Sequence, residues 1–500
     1  MAEINRNTVL ALVAETTEGT PVAPSAGTDF TAIQDDLDIS PSFDVLENAE
    51  LKSSIGKGKP IIGMENPQAS FTHYLRHSGT EGDNPDFAPL LKSVFGSETV
   101  NSTQRSTTTS SSTSIIKLAS GGSDFARGMA VLIKDGTNGY SIRPVHSVST
   151  NDLTLGFNVA AAPASGIGVG KCVNYSPASS GHQALSVWAF RANRGAVELM
   201  SGGRVTEMSV DFSAGDLIAA AFSLEGMKYY YNPVKIGSTD VYLDFLDDAT
   251  TRAAVVTAKM YTDPHELAAA LQTSMNALGS TNTFTVAYSD TTGKYTLTSS
   301  GTTFTLKWST GTNAANTIGD KIGFDTTSDD SSALTYTSDN AITLTAPYTP
   351  IYDSADPIAA KDNEVLIGDS TDSTTLTSPS VSFTISNERS PLDDVSNSTG
   401  RSGSLITGRT VTVSVKTYIT QYDVSKFKRF RAGTDTRFCY VFGTKSGGNW
   451  VAGKSGCIYM PSAVISSFKV TADNGILFLE MELQGYIDSS GNGEVYLNFL

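Results

Sequence analysis

Along most of the chain apolar and polar residues alternate with a period of two, the pattern of strands buried on one face. The run from Ala69 to Arg76 is clear: Ala69, Phe71, His73 and Leu75 fall on one side, and Ser70, Thr72, Tyr74 and Arg76 on the other. Strand-like alternation precedes it between Phe30 and Phe43, and a polar loop rich in Gly and Lys, residues 50–63, separates the two. Helical spacing is rarer. Phe87, Leu90, Leu91 and Phe95 predict a short helix over 86–95, stopped by Gly96. A stronger helix is predicted over 263–278, with Asp263 as cap, Pro264 at the first position, Glu266 completing a capping-box-like arrangement and Gly279 past the end.

These elements order the chain. Residues 101–114, NSTQRSTTTSSSTS, read as a low-complexity linker. Short strands with Gly, Asn and Asp turns follow, so 101–181 reads as a small all-β insertion. Strands resume at 184–190, 197–200, 205–212 and 217–226, the last two joined by a turn at Ala214-Gly215-Asp216. Residues 235–345 combine the strong helix, a hairpin at 284–299 turning at Thr292-Gly293, and a strand at 304–308, giving a separate α+β insertion. Residues 346–375, with Pro347, Pro350 and Pro357, read as the linker out of it.

The C-terminal segment then repeats the order of the first. Strand 380–386, a Gly-rich polar loop 396–408, strand 410–420, a short helix at 424–430, strands 438–443 and 457–460, and a hairpin over 464–486 follow one another. With 101–180 removed, the first half runs in the same order, and repeated order of this kind is a fold-level signal. The closing hairpins align residue by residue: Phe222 and Leu224 with Met481 and Leu483, and Gly226 with Gly485. The expected organisation is a first module at 1–100 and 182–234 and a second at 376–500.

Composition narrows the chemistry. The 500 residues carry 35 Lys plus Arg against 51 Asp plus Glu, a formal charge of −16, which disfavours a phosphate-neutralising nucleic-acid binder. Ser and Thr make up about a quarter of the chain, which with 44 Gly favours strands and turns. Cys172, Cys439 and Cys457 form no CxxC and no disulfide framework, pointing to a reducing compartment. The apolar run from Val9 to Ala14 is too short for an export signal, and no stretch approaches a membrane span, so no membrane role is expected.

Catalytic patterns are missing. His73, His77, His146, His182 and His265 show no metal-ligand spacing, and GKGKPIIG at 56–63 lacks the phosphate-loop pattern. The acidic run 325–332 lacks EF-hand order, and in KFKRFR at 426–431 the charges alternate with Phe427 and Phe430 as on an amphipathic helix. Neither an enzyme nor a cofactor is expected.

The sequence resembles the tail tube (major tail) proteins of long-tailed bacteriophages. ETTEGTPVAP at 15–24, the LKSSIGKGKPIIGMENPQASFTHYL stretch at 51–75, PDFAPLLKSVFG at 85–96, and 174–226 carry the resemblance, and 263–324 resembles a small domain attached to various phage virion proteins. The resemblance implies a mainly β fold. Two tandem β-sandwich or barrel modules would each carry a short helix, with the all-β and α+β insertions projecting outward. It also implies a structural virion protein that self-assembles into stacked rings forming the conduit for genome ejection. Six modules make a ring, so a duplicated chain would form a homotrimer with pseudo-sixfold symmetry. Its implied partners are copies of itself, a tape measure inside, terminator and distal tail proteins at the ends, and DNA in transit. Its implied location is the virion tail, after assembly in the host cytoplasm. In this reading the loops 50–63 and 396–408 reach neighbouring subunits, with Lys57, Lys59 and Arg401 as assembly candidates. Two other readings stand beside it: a different β-rich virion or surface protein such as an adhesin or carbohydrate-binding protein, and a polysaccharide hydrolase built on paired carboxylates.

Overall fold

The computed structural model describes residues 7–50, 56–137, 139–191, 196–369, 373–397, 399–419, 424–487 and 493–500. It is mainly β and divides into two compact units. The larger comprises Ala11–Ser186, Ser201–Met227 and Tyr348–Leu500. The smaller comprises Met1–Leu10, Val187–Met200 and Lys228–Pro347.

Alternation in the first half of the chain produces strands β1 (Asp38–Ser40), β2 (Phe43–Leu46), β3 (Ile61–Glu65) and β4 (Gln68–Tyr74). Helix α1 (Ala88–Phe95) follows; Gly96 ends it at φ 88°, in the left-handed region that glycine adopts without strain. The long strand β5 (Ala196–Ser213) and β6 (Ala219–Glu225) close this half as a hairpin. The second half forms β7 (Ser380–Asp393), β8 (Arg401–Tyr418), helix α3 (Val424–Ala432), β9 (Thr436–Ser446), β10 (Asn449–Asp473) and β11 (Ile476–Gly485).

Antiparallel ladders join these strands in the order β1-β4-β6-β5-β7-β8-β11-β10. The order of four in the first half, β1-β4-β6-β5, recurs in the second as β7-β8-β11-β10. The two sets meet where β5 pairs with β7, from Glu207 opposite Ser386 to Ser213 opposite Ser380.

The register repeats as well. In the first half Ser70 lies between Asp38 and Ser223; in the second Ser414 lies between Ser382 and Glu482. Thr206 is the extra residue of a bulge between Val205 and Glu207, and Ser466 is the extra residue between Ile465 and Ser467. Each bulge hydroxyl donates to a carbonyl across the hairpin at 3.2 Å, Thr206 to Ser223 and Ser466 to Glu482. The hairpin alignment read from the sequence is the alignment of the ladders, with Phe222, Leu224, Met481 and Leu483 all buried.

Three segments differ from their sequence reading. Residues 396–408 were expected to be a loop, but from Arg401 onward they are strand, paired with β7 as far as Asp393 opposite Arg401. Ladder bonds use backbone groups that every residue except proline supplies, so Gly and Ser sustain the ribbon although their side chains give no alternation. The Ser/Thr run 101–114 is also ordered, because its hydroxyls bond nearby backbone: Thr107 donates to Ala164, and Ser112 accepts from the Ile115 amide. The expected linker 346–375 contains a strand, Glu364–Gly368, paired with β9.

The strands at 105–169 form a six-stranded sheet around Ile116, Val131, Val145, Leu153 and Leu155. A second cluster joins Met129, Leu132, Ile142 and Phe157 of this insertion to Cys439, Trp450, Tyr459 and Leu500 of the second half. The insertion is therefore packed against the second half. In the smaller unit helix α2 (Pro264–Asn276) packs Leu267, Leu271 and Met275 against Phe284 and Phe304 of short antiparallel sheets and Trp308 in the turn that follows. Its cap is as expected: Asp263 accepts the Glu266 amide at 2.8 Å, while the Glu266 carboxylate accepts from the Thr262 amide at 2.6 Å.

Candidate assembly surface

These eight strands, part of a larger sheet, present two unlike faces, because directly opposed residues of a ladder point the same way. One face is apolar. Phe71, Phe222, Met208, Val210, Phe383, Val413, Met481 and Leu483 are buried there. The other is polar from edge to edge, carrying Asp38, Ser70, Ser223, Glu207, Ser386, Thr412, Glu482 and Ser467 on successive strands. Its charge is mostly negative: Asp38, Glu207, Asp211, Glu225, Glu480 and Glu482 outnumber Arg204, Lys416 and Lys469 among these ladder positions. A trough of about 460 Å³ crosses this face, lined by Asp211, Ser382, Ser414, Lys416, Lys469 and Glu482.

At the seam between the halves, charge is buried and paired. Arg204 donates to Glu18 at 2.8 Å, and the Arg389 guanidinium lies 3.7 Å from Glu18 and 3.6 Å from Glu225. Ser404 donates to Glu18 through both its hydroxyl and its amide. Burial alone would raise the Glu18 pKa, but the bonds from Arg204 and Ser404 hold it below its ordinary value of 4.5. Burial also lowers Arg389 from its ordinary value, opposed by Glu18 and Glu225. Nearby Glu15 is raised by burial despite accepting from Gly202, Ser186 and Gly19. Asn387 completes the seam, donating to the carbonyls of Val94 at 3.0 Å and Val205 at 3.3 Å.

Two ribbons extend from the sheet. In the second half the ribbon is the continuation of β7 and β8, and it lies on the first half. In the first half it is β2 with β3, paired in the same register, Val45 opposite Ile62 where the second half has Arg389 opposite Ile406. Of the three residues proposed from sequence, Arg401 is buried against its own chain, donating to the Glu65 carbonyl at 3.0 Å and to the Asn66 side chain. Lys57 pairs with Glu47 at 3.1 Å on the exposed first ribbon, and Lys59 is exposed there as well. Of the loop 50–63 that carries them, residues 51–55 lie outside the described residues.

Sequence reasoning missed Glu18, Arg204, Arg389 and Asn387. Three of them are strand residues in polar runs, and the alignment of the two halves would have drawn attention to Arg389 and Asn387 as charged and polar where the first half has Val45 and Phe43. Among the described residues no cluster of three or more His, Cys, Asp or Glu is arranged to hold a metal ion, and no helix is long and apolar enough to cross a membrane. Cys172, Cys439 and Cys457 are buried free thiols.

The family model for phage tail tube proteins matches residues 5–261, just over half of the chain. The chain belongs to this family. No curated protein matches it. As a phage tail tube protein it is a structural component of the virion tail, and the adhesin reading is not favoured. The β-rich fold agrees with that membership. In this tail tube protein the surface of interest is therefore one for assembly: a polar sheet face, two sheet edges and two ribbons.

Proposed function

We propose that three chains of this tail tube protein close head to tail into a ring, each supplying two tube modules, and that rings stack into the conduit for the genome. The observation that carries the proposal is the seam between β5 and β7. It joins the end of one four-stranded set to the start of the next within one chain. The outer edges of β1, and of β10 beyond Ala463, carry no other strand among the described residues. Those two edges are the counterparts of β7 and β5. Repeating the seam between chains would place Lys469 opposite Ser40, as Ser209 lies opposite Thr384. Closure would remove these two free edges, the usual hazard of an open sheet.

In such a ring the polar face lines the lumen. Its excess of carboxylates disfavours phosphate binding and so favours passage over adhesion. The remaining partners follow from membership of a tail: a tape measure within the lumen, terminator and distal proteins at the tube ends, and assembly in the host cytoplasm. Lys57 and Lys59 are proposed assembly residues on the exposed first ribbon, whereas Arg401 holds the second ribbon against its own chain.

Native mass measurement of purified rings tests the stoichiometry. Rings of three chains are expected, and a stable ring of six chains would overturn the trimer.

A further inference from the structure

The two ribbons share a register but differ in what covers them. In the second ribbon Asn387 is 4% exposed and the Arg389 side chain 3%, because the first half lies over them. At the same ladder positions in the first ribbon Phe43 is 42% exposed and Val45 59%. Leu46, Ile61 and Ile62 beside them are also exposed, so the first ribbon presents an apolar strip with nothing over it among the described residues.

The surface that covers the second ribbon has its own counterpart. Val94 and Val205, which accept from Asn387, lie at the end of α1 and at the β5 bulge; the matching places in the second half are α3 and Ile465 at the β10 bulge. There α3 exposes Val424 and Phe427, whereas Val94 and Phe95 of α1 are fully buried. Charge follows the same correspondence. Glu225, the partner of Arg389, matches Gln484. Where the buried seam has a cation facing an anion, the exposed surfaces have Val45 and Gln484, so bringing them together strands no charge.

We infer that the first ribbon, Phe43–Leu46 with Ile61–Glu65, docks on the second half of another copy of this chain, with Phe43 against α3 and Val45 beside Gln484. The inference rests on the head-to-tail ring and adds to it a clamp across the joint between chains. An apolar strip of this kind on a strand ribbon is a self-association surface rather than a solvent face.

Two measurements on the full-length chain separate the ribbon from the ring. Ser40→Cys with Lys469→Cys, treated with a short bis-maleimide, reports the strand joint; the native cysteines are buried, and the unsubstituted chain is the control. Val45→Arg, alone and with Gln484→Glu, reports the ribbon by sedimentation velocity. The expected results are chain-to-chain crosslinks, at least a tenfold rise in the concentration needed for half assembly in Val45→Arg, and recovery in the double variant, which rebuilds the Arg389–Glu225 pair at the other joint. Crosslinking with Val45→Arg assembling as the unsubstituted chain does would overturn the ribbon placement and leave the ring. A weakened Val45→Arg that Gln484→Glu does not restore would also overturn it. Absence of crosslinks would remove the ring reading, and the clamp with it.

Discussion

At the scale of single residues, Glu18 does the most to hold the seam. It is 11% exposed and faces two buried guanidinium groups, Arg204 and Arg389. Removing one partner of a buried network leaves the others uncompensated, which costs about 3–5 kcal/mol. Glu18→Gln is therefore expected to lower the unfolding free energy of the larger unit at pH 7, read from urea denaturation, by an amount in that range. The pH dependence has a definite sign. The folded pKa of Glu18 lies below its ordinary 4.5, so its contribution is complete above that value and is lost as pH falls through the lowered one. Unfolding measured from pH 6 to pH 3 should show this acid loss in the native chain and a shallower loss in Glu18→Gln. Glu15 acts in the opposite sense, since its raised pKa favours the fold at low pH and that gain fades as pH rises through the raised value.

At the scale of elements, one difference between the halves has a simple covalent origin. In the second half β7 and β8 run unbroken from sheet into ribbon, with Ile385 opposite Val411. In the first half the corresponding residues are Pro41 and Pro67, so two short strands stand on each side in place of one long one. Proline has no amide hydrogen to give a ladder, and these prolines fall where strand meets ribbon. Helix α2 gives a cleaner local prediction. Its Asp263 cap accepts the Glu266 amide, and Asp263→Ala should cost about 1 kcal/mol. Thermal unfolding should show the loss in the smaller unit and leave the seam at Glu18 unaffected. Both helix ends were legible in sequence, because caps are local chemistry between residues three or four apart.

At the scale of the whole molecule, the polar sheet face sets a testable property of the assembled tube. Glu480 and Glu482 stand opposite Lys416 and Ser414 on that face. Glu480→Lys with Glu482→Lys should make assembled protein retain duplex DNA at low salt and release it as salt rises, whereas the native protein should not retain it; filter binding across a salt series measures the difference. The duplication was readable at this scale from element order alone. The hairpin equivalence of Phe222 and Leu224 with Met481 and Leu483 followed from an alternation that one-sided burial imposes on sequence. The ribbon at 401–408 was not readable, because its Gly and Ser residues carry no such alternation.

The sequence by itself determined the β class, the repeated order of elements, the α2 boundaries and the resemblance to tail tube proteins. Each of these is written in side-chain polarity or in short-range capping. Only the tertiary structure decided that β5 pairs with β7, that Glu18 gathers Arg204 and Arg389, and that one ribbon is covered while its counterpart is exposed. Strand neighbours are chosen through backbone groups common to nearly all residues, and buried ion pairs join residues far apart in the chain, so neither leaves a local pattern to read.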